Sequence, residues 1–315
     1  MKKLLIIAAA LVLIGAILCV ASAAALHFDL TGLDTGTYET NTYAVTDAFR
    51  SISLELSVEK LVFRPSDDGR CKVVCFEEAN RRHEVAVTGG TLTVSAPEAR
   101  NTGRFLFHFK TPEITVYLPE RAYADLRIVT HTGDIAIPAD FSFDSIAVRG
   151  STSDVSCLAS AKGGIGIALS TGDITLSSVE AGALELEVST GTIRAAAVRC
   201  GGDVSIRVET GKTKLQDVTC RSLVSEGSTG DITLDNVLAA DTISVTRSTG
   251  DVEFNASDAG TVLVQTSTGD VTGSLRTEKV FLTETDTGKV DVPKSITGGR
   301  CEVRTETGKI LLRTA

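Results

Sequence analysis

One register constrains this chain more than any other feature. A Thr-Gly dipeptide recurs with its glycine at positions 133, 172, 191, 211, 230, 250, 269, 288 and 308, and a degenerate copy, Ser151-Thr152-Ser153-Asp154, fills the one gap. The intervals are 20, 19, 19, 20, 19, 20, 19, 19 and 20 residues. So regular a period marks a repeat architecture, in which each unit buries its apolar face only by stacking on its neighbours.

Aligning the copies on that glycine exposes a core. Seven and five residues before it stand pairs such as Leu126 and Ile128, Ile165 and Ile167, Leu184 and Leu186, and Cys301 and Val303. Two and four residues after it stand Ile135 and Ile137, Ile174 and Leu176, Ile232 and Leu234. Both series alternate with polar or small residues, the period of a strand with one buried face. Each unit therefore reads as strand, tight turn, strand and a looser return loop, which often carries one more aliphatic residue (Val179, Val198, Val218, Val237).

This is the pattern of an all-β fold, a single-stranded parallel β-solenoid with about 19–20 residues per coil, expected to be right-handed from crossover chirality. Ten coils spaced ~4.8 Å apart make a stack of roughly 50 Å. An antiparallel sandwich is the structural alternative. No repeat has helical periodicity, which argues against an α/β fold. The chain divides into residues 1–25, an N-terminal membrane anchor; 26–44, a juxtamembrane spacer; 45–120, a β cap closing the N-terminal end of the stack; and 121–315, the solenoid repeats. The C-terminal end, stopping just after Ile310-Leu311-Leu312, shows no capping segment and is expected to be an open edge that invites self-association.

The anchor rests on Lys2 and Lys3 preceding an uncharged stretch from Leu4 to Ala25. Twenty-two helical residues would reach roughly 33 Å, enough for a hydrocarbon core of about 30 Å. The lysines before it and Asp29, Asp34 and Glu39 after it place the N-terminus in the cytoplasm and the solenoid outside. Ala21-Ser22-Ala23 offers the alternative of secretion after signal-peptide cleavage.

Candidate chemistry is sparse. Gly133, Gly172, Gly230, Gly250 and Gly269, each followed by an aspartate (Asp134, Asp173, Asp231, Asp251 and Asp270), read as a structural turn motif. A calcium ladder is the competing reading, but one carboxylate per coil, interrupted by lysine at 212, 289 and 309, is thin for calcium. Cys157 and Cys301 occupy core slots, and only Cys200 and Cys220 share a register that could let them bridge. Zinc-type Cys-x-x-Cys pairs with neighbouring histidines are missing. The acids and bases are scattered rather than gathered as an enzyme needs. No catalytic, metal or cofactor residue is assigned, and no cofactor is expected. Phe105, Phe107 and Phe109 share one strand face and read as a plug for the core or as an interaction patch. A net charge of -9 argues against nucleic acid as a partner.

The segment Ile114-Thr115-Val116-Tyr117-Leu118-Pro119 leading into His131-Thr132-Gly133-Asp134-Ile135, with the later copies beginning at Ser170-Thr171-Gly172-Asp173-Ile174, resembles the bacterial β-strand-repeat "putative adhesin" family. The resemblance covers roughly residues 45–315 and implies the solenoid fold, an N-terminal membrane helix and cell-envelope roles; it brings no catalytic residues. The expected function is that of a non-enzymatic, membrane-anchored envelope module. It would bind an envelope protein or cell-wall ligand or serve structurally. The alternative is an envelope-stress accessory that modulates a membrane signalling partner.

Overall fold

The computed structural model describes residues 11–18, 20, 37–97 and 111–314. From residue 38 onward the described residues are all β, a stack of parallel coils with antiparallel strands at its N-terminal end. The repeat supplies about ten turns. A long strand such as Ser160–Thr171 reaches the glycine turn, and a short strand such as Ile174–Ser177 leaves it. Neighbouring coils pair in register, Ile146 on Ile165 and on Leu126, Val155 on Ile174 and on Ile135. Like residues thus pile into columns, and the columns are the core. Each Val, Ile or Leu so buried contributes about 1.5–3 kcal/mol.

A third inward column, three residues before the turn glycine, completes the long strand. It holds Leu169, Val188 and Val208 in the middle of the stack but Thr130, Arg247, Thr266 and Thr305 elsewhere. The series read from alternation alone stopped one position short.

Two kinds of bend close a coil. At the first, the glycines adopt φ between 127° and 158° at positions 133, 172, 191, 211, 230, 250, 269 and 308. Conformation is only half of the requirement. A Cβ on Gly191 would lie inside the contact shell of the Gly172 carbonyl, and the same holds for Gly211 over Gly191 and Gly230 over Gly211. At the second bend, Ser178, Ala197, Asp217, Asn236 and Ala256 have φ of 46–56°. Each lies just before the return-loop residue that turns inward, namely Val179, Val198, Val218, Val237 and Ser257. A left-handed residue there swings the next side chain into the core.

Stacking order departs from chain order at both ends. Strand Ser51–Glu55 lies between Thr91–Ser95 and Ala122–Thr132, and Lys60–Pro65 lies between Glu113–Leu118 and Ile135–Ile137. Residues 51–65 are therefore a coil inside the stack rather than part of a terminal cap. The outermost N-terminal layer is Thr91–Ser95 with Glu113–Leu118, finished by antiparallel strands Glu84–Thr88, Cys71–Glu78 and Tyr38–Val45. At the other end Gly299–Thr307 inserts between Val252–Thr268 and Lys279–Thr287, and Ile310–Thr314 pairs on both sides. The expected open edge at the last strand is thus corrected. The edge is the preceding coil, where Leu282 and Val290 are exposed.

The membrane span expected over Leu4–Ala25 is not supported among the described residues. Residues 11–18 and 20 are helical, but no helix there is long and apolar enough to cross a membrane. The rest of the segment lies outside the described residues, as do Phe105, Phe107 and Phe109.

The two bends predict opposite responses. Gly191→Ala should cost roughly 2–6 kcal/mol, combining a disfavoured φ with a carbonyl clash. Ala197→Gly should gain about 0.5–1 kcal/mol by relieving a left-handed alanine, net of glycine's larger unfolded entropy. Denaturant unfolding of the two variants measures both; equal shifts of one sign would rule the account out.

Candidate functional site

The glycine column carries a polar column beside it. Each aspartate after a turn glycine accepts, through Oδ1, the backbone N–H of the corresponding residue one coil on: Asp173 N–H to Asp154 at 2.8 Å, Thr192 N–H to Asp173 at 2.8 Å, and Asp270 N–H to Asp251 at 2.8 Å. Longer versions link Asp154 N–H to Asp134 at 3.3 Å and Asp251 N–H to Asp231 at 3.2 Å. At the end of the row Lys309 N–H reaches Asp270 Oδ1 at 2.8 Å. The other oxygens meet cations: Arg194 lies 2.7 Å from Asp173, Lys212 3.0 Å from Asp231 and Lys309 3.6 Å from Asp270. Where the row is interrupted, the substituted lysine offsets its aspartate neighbour. Among the described residues these carboxylates form no group close enough to share an ion.

The outward face of the long strands carries two clusters of paired charge separated by uncharged positions such as Val224, Ser244, Thr246, Leu263 and Gln265. Glu187 stands beside Arg207, which pairs with Glu226 at 2.7 Å. Farther along, Arg304 lies 2.8 Å from Glu302 and 3.7 Å from Glu284. A shallow hollow of about 220 Å³ opens between Ser244, Leu263, Gln265 and Arg304. On the return side a cleft of about 490 Å³ crosses successive coils. It is lined by the buried column Phe143, Ala161 and Ala181 and by Gly182 and Gly201, and the exposed Lys162, Glu180 and Arg199 rim it.

Among the described residues the cysteines carry no exposed chemistry. Six are free and buried, Cys200 and Cys220 among them, so these two are not bridged. Cys200 Sγ instead faces the Asp203 and Gly182 carbonyls at 3.5 and 3.8 Å. Burial pushes the thiol of Cys157 up to about 11 and those of Cys220 and Cys301 up to about 12, far from a reactive thiolate. His131 is exposed at the surface, and His27 and His108 lie outside the described residues.

Two buried polar groups were not legible from periodicity. Arg247 is 4% exposed, in a column that holds Leu169, Val188 and Val208 in other coils. Its guanidinium donates to Ser225 Oγ at 2.9 Å, Thr213 Oγ1 at 3.3 Å and the Thr246 carbonyl at 3.1 Å. Burial lowers its pKa to about 10. The coil ending at Gly230 departs from the aliphatic pattern at Thr213, Ser225 and Gly227, and all three departures surround this one side chain; a Cβ on Gly227 would meet Arg247 Nη1 at 2.7 Å. The second group, at the N-terminal end, is His83 between Glu59 and Glu77. Burial alone would lower the pKa of His83, but the two carboxylates outweigh it and the net shift is upward. Extending the inward alternation of Cys71, Val73 and Cys75 by one step reaches Glu77, which is the signal that could have found it.

With the geometry in place, the comparisons are specific. The family model described as Toastrack DUF4097 matches residues 49–313. The chain belongs to that family. A crystal structure of a "putative adhesin" from Parabacteroides merdae has the same fold at TM-score 0.53 and 13% identity, covering 76% of this chain and 97% of that one. A "putative adhesin" from Bacteroides fragilis follows at TM-score 0.44 and 14% identity, covering 89% and 97%. A "putative lipid binding protein" from Parabacteroides distasonis has TM-score 0.49 and 16% identity, covering 76% and 95%. No curated protein matches this Toastrack chain.

Two tests follow. Ser225→Ala leaves the buried guanidinium short of an acceptor and should cost about 1–3 kcal/mol, whereas Arg247→Met, Ser225→Val and Thr213→Ile together should recover that loss. The carboxyl pKa of Asp173 is held low chiefly by Arg194 and that of Asp231 chiefly by Lys212. A lowered folded pKa stabilises above the unfolded value of about 3.9 and is lost as pH falls below it. The Asp173→Asn and Asp231→Asn pair should therefore flatten the fall of Tm below about pH 4; an unchanged acid profile would contradict the assignment.

Proposed function

We propose that this Toastrack protein is a non-enzymatic binding or structural module of the cell envelope, held outside the cytoplasm by its N-terminal segment. The observation that carries this reading is the cleft across successive coils, bordered by Lys162, Glu180 and Arg199, on a stack whose surface carries ion pairs of both signs. A cleft with a charged rim suits an extended ligand lying along the stack, and charge of both signs favours a polar partner over a phosphate polymer. The description of the Parabacteroides merdae protein as a "putative adhesin" supports the same reading. The apolar stretch Leu4–Ala25 behind Lys2 and Lys3 supports tethering. Self-association through the 279–287 edge is a further way for the module to act, since strand edges pair readily.

The test uses residues 26–315 and two probes, purified cell-wall sacculi and detergent-solubilised envelope proteins. Wild type should co-sediment or co-purify with one of them, and Lys162→Ala with Arg199→Ala, which removes the exposed cations bordering the cleft, should weaken that capture by about tenfold. Equal capture by that variant, or none by wild type, sinks the proposal. Replacing residues 4–25 by an unrelated span should keep the protein at the membrane and keep its binding.

A further inference from the structure

At the N-terminal end of the stack, strand Cys71–Glu78 turns alternate side chains inward, and the last of these is a carboxylate. Glu77 is 1% exposed. Its Oε2 accepts the His83 backbone N–H at 2.6 Å and faces His83 Nδ1 at 2.6 Å; its Oε1 accepts from Asn41 Nδ2 and from the Tyr43 hydroxyl, both at 2.8 Å. Beyond the ring stands Glu59, whose Oε2 holds the N–H groups of Ser57 and Val58 at 2.6 and 2.9 Å. Glu59 Oε1 lies 3.1 Å from His83 Nε2, yet that nitrogen has no well-directed hydrogen bond among the described residues. Cys75 is fully buried beside them. One donor atom from each of Cys75, Glu77 and His83 lies within 4.8 Å of the other two.

A proton on His83 supplies one positive charge against two buried carboxylates, and uncompensated buried charge is costly. A divalent ion supplies two against three, because the Cys75 thiol releases its proton on binding, so the net charge is the same and the donor set decides between the two arrangements. A thiol has no part to play in an ion pair, but a sulfur, nitrogen and oxygen donor set suits a borderline-soft metal of the zinc class rather than calcium or magnesium. A carboxylate facing the second ring nitrogen is the usual partner that orients a metal-bound histidine. We propose that Cys75, Glu77 and His83 bind a zinc-class divalent ion, with Glu59 orienting the imidazole. The ion would join the antiparallel strands that finish the stack to the coil at 51–65. Because every donor is buried, uptake belongs to folding, when the thiol releases its proton to the solvent.

The experiment refolds the full chain from denaturant with and without Zn²⁺, then measures bound zinc and Tm; Co²⁺ replaces Zn²⁺ for absorption spectra. The expected result is about one ion per chain, a higher Tm with zinc, and a thiolate-to-cobalt charge-transfer band that Cys75→Ala abolishes. Glu59→Gln should keep the stoichiometry and weaken affinity by about tenfold or more. Zinc below about a tenth of an ion per chain with an unchanged Tm overturns the proposal and leaves a protonated histidine clamp. A wild-type cobalt spectrum without the thiolate band overturns it equally, whether or not Cys75→Ala folds.

Discussion

Each turn of the stack sets a backbone carbonyl directly against the α-carbon of the next turn, and the rest of the structure depends on that approach. It demands glycine at the first bend of the coils that turn with positive φ, because a Cβ there would occupy the space of the carbonyl one layer below; Ser153 takes that place in one coil without positive φ. It also holds the layers in fixed register, so that Ile146, Ile165 and Leu184 share a column. Once register is fixed, whatever is placed at one position of a coil meets its equivalent in the next. Aliphatic residues then make a continuous core, and aspartates make a row whose oxygens cap the following amide.

The same logic explains how a uniform scaffold carries local differences. Backbone geometry hardly changes from coil to coil, so variation must be expressed in side-chain size and charge within a column. Lys212 standing where aspartate is common offsets Asp231, and Arg247 is accommodated only because Thr213, Ser225 and Gly227 change together. A departure from the repeat is therefore where specific chemistry is to be sought.

Much of this was legible in the sequence, because a stacked repeat writes its period and its buried positions directly into residue order. The columns seven and five residues before the turn position and two and four after it followed from alternation, and Cys157 and Cys301 fell among them. Three things did not follow. The left-handed bend at Ser178, Ala197, Asp217, Asn236 and Ala256 uses five positions without a single glycine, so composition gave no cue. The column of Thr130, Arg247 and Thr266 mixes polar with apolar residues and breaks the hydrophobic period. His83 is brought to Glu59 and Glu77 by strand pairing across a non-repeating segment, and spacing along the chain says nothing of that meeting.

Layer order was illegible for a different reason: identical motifs do not say which coil lies on which. The exchange at both ends has a consequence for how the stack is assembled. A solenoid that grew strictly one coil at a time would place residues 279–291 on the 252–275 layer and leave 299–314 to dock last on the outside. Here the later segment occupies the inner berth, so the earlier one must wait or be displaced, and the chain forms a long loop before it closes. Removing the final strand would open a gap within the stack instead of shortening it. The ends of this fold are thus its slowest and most cooperative parts, while its middle can zip.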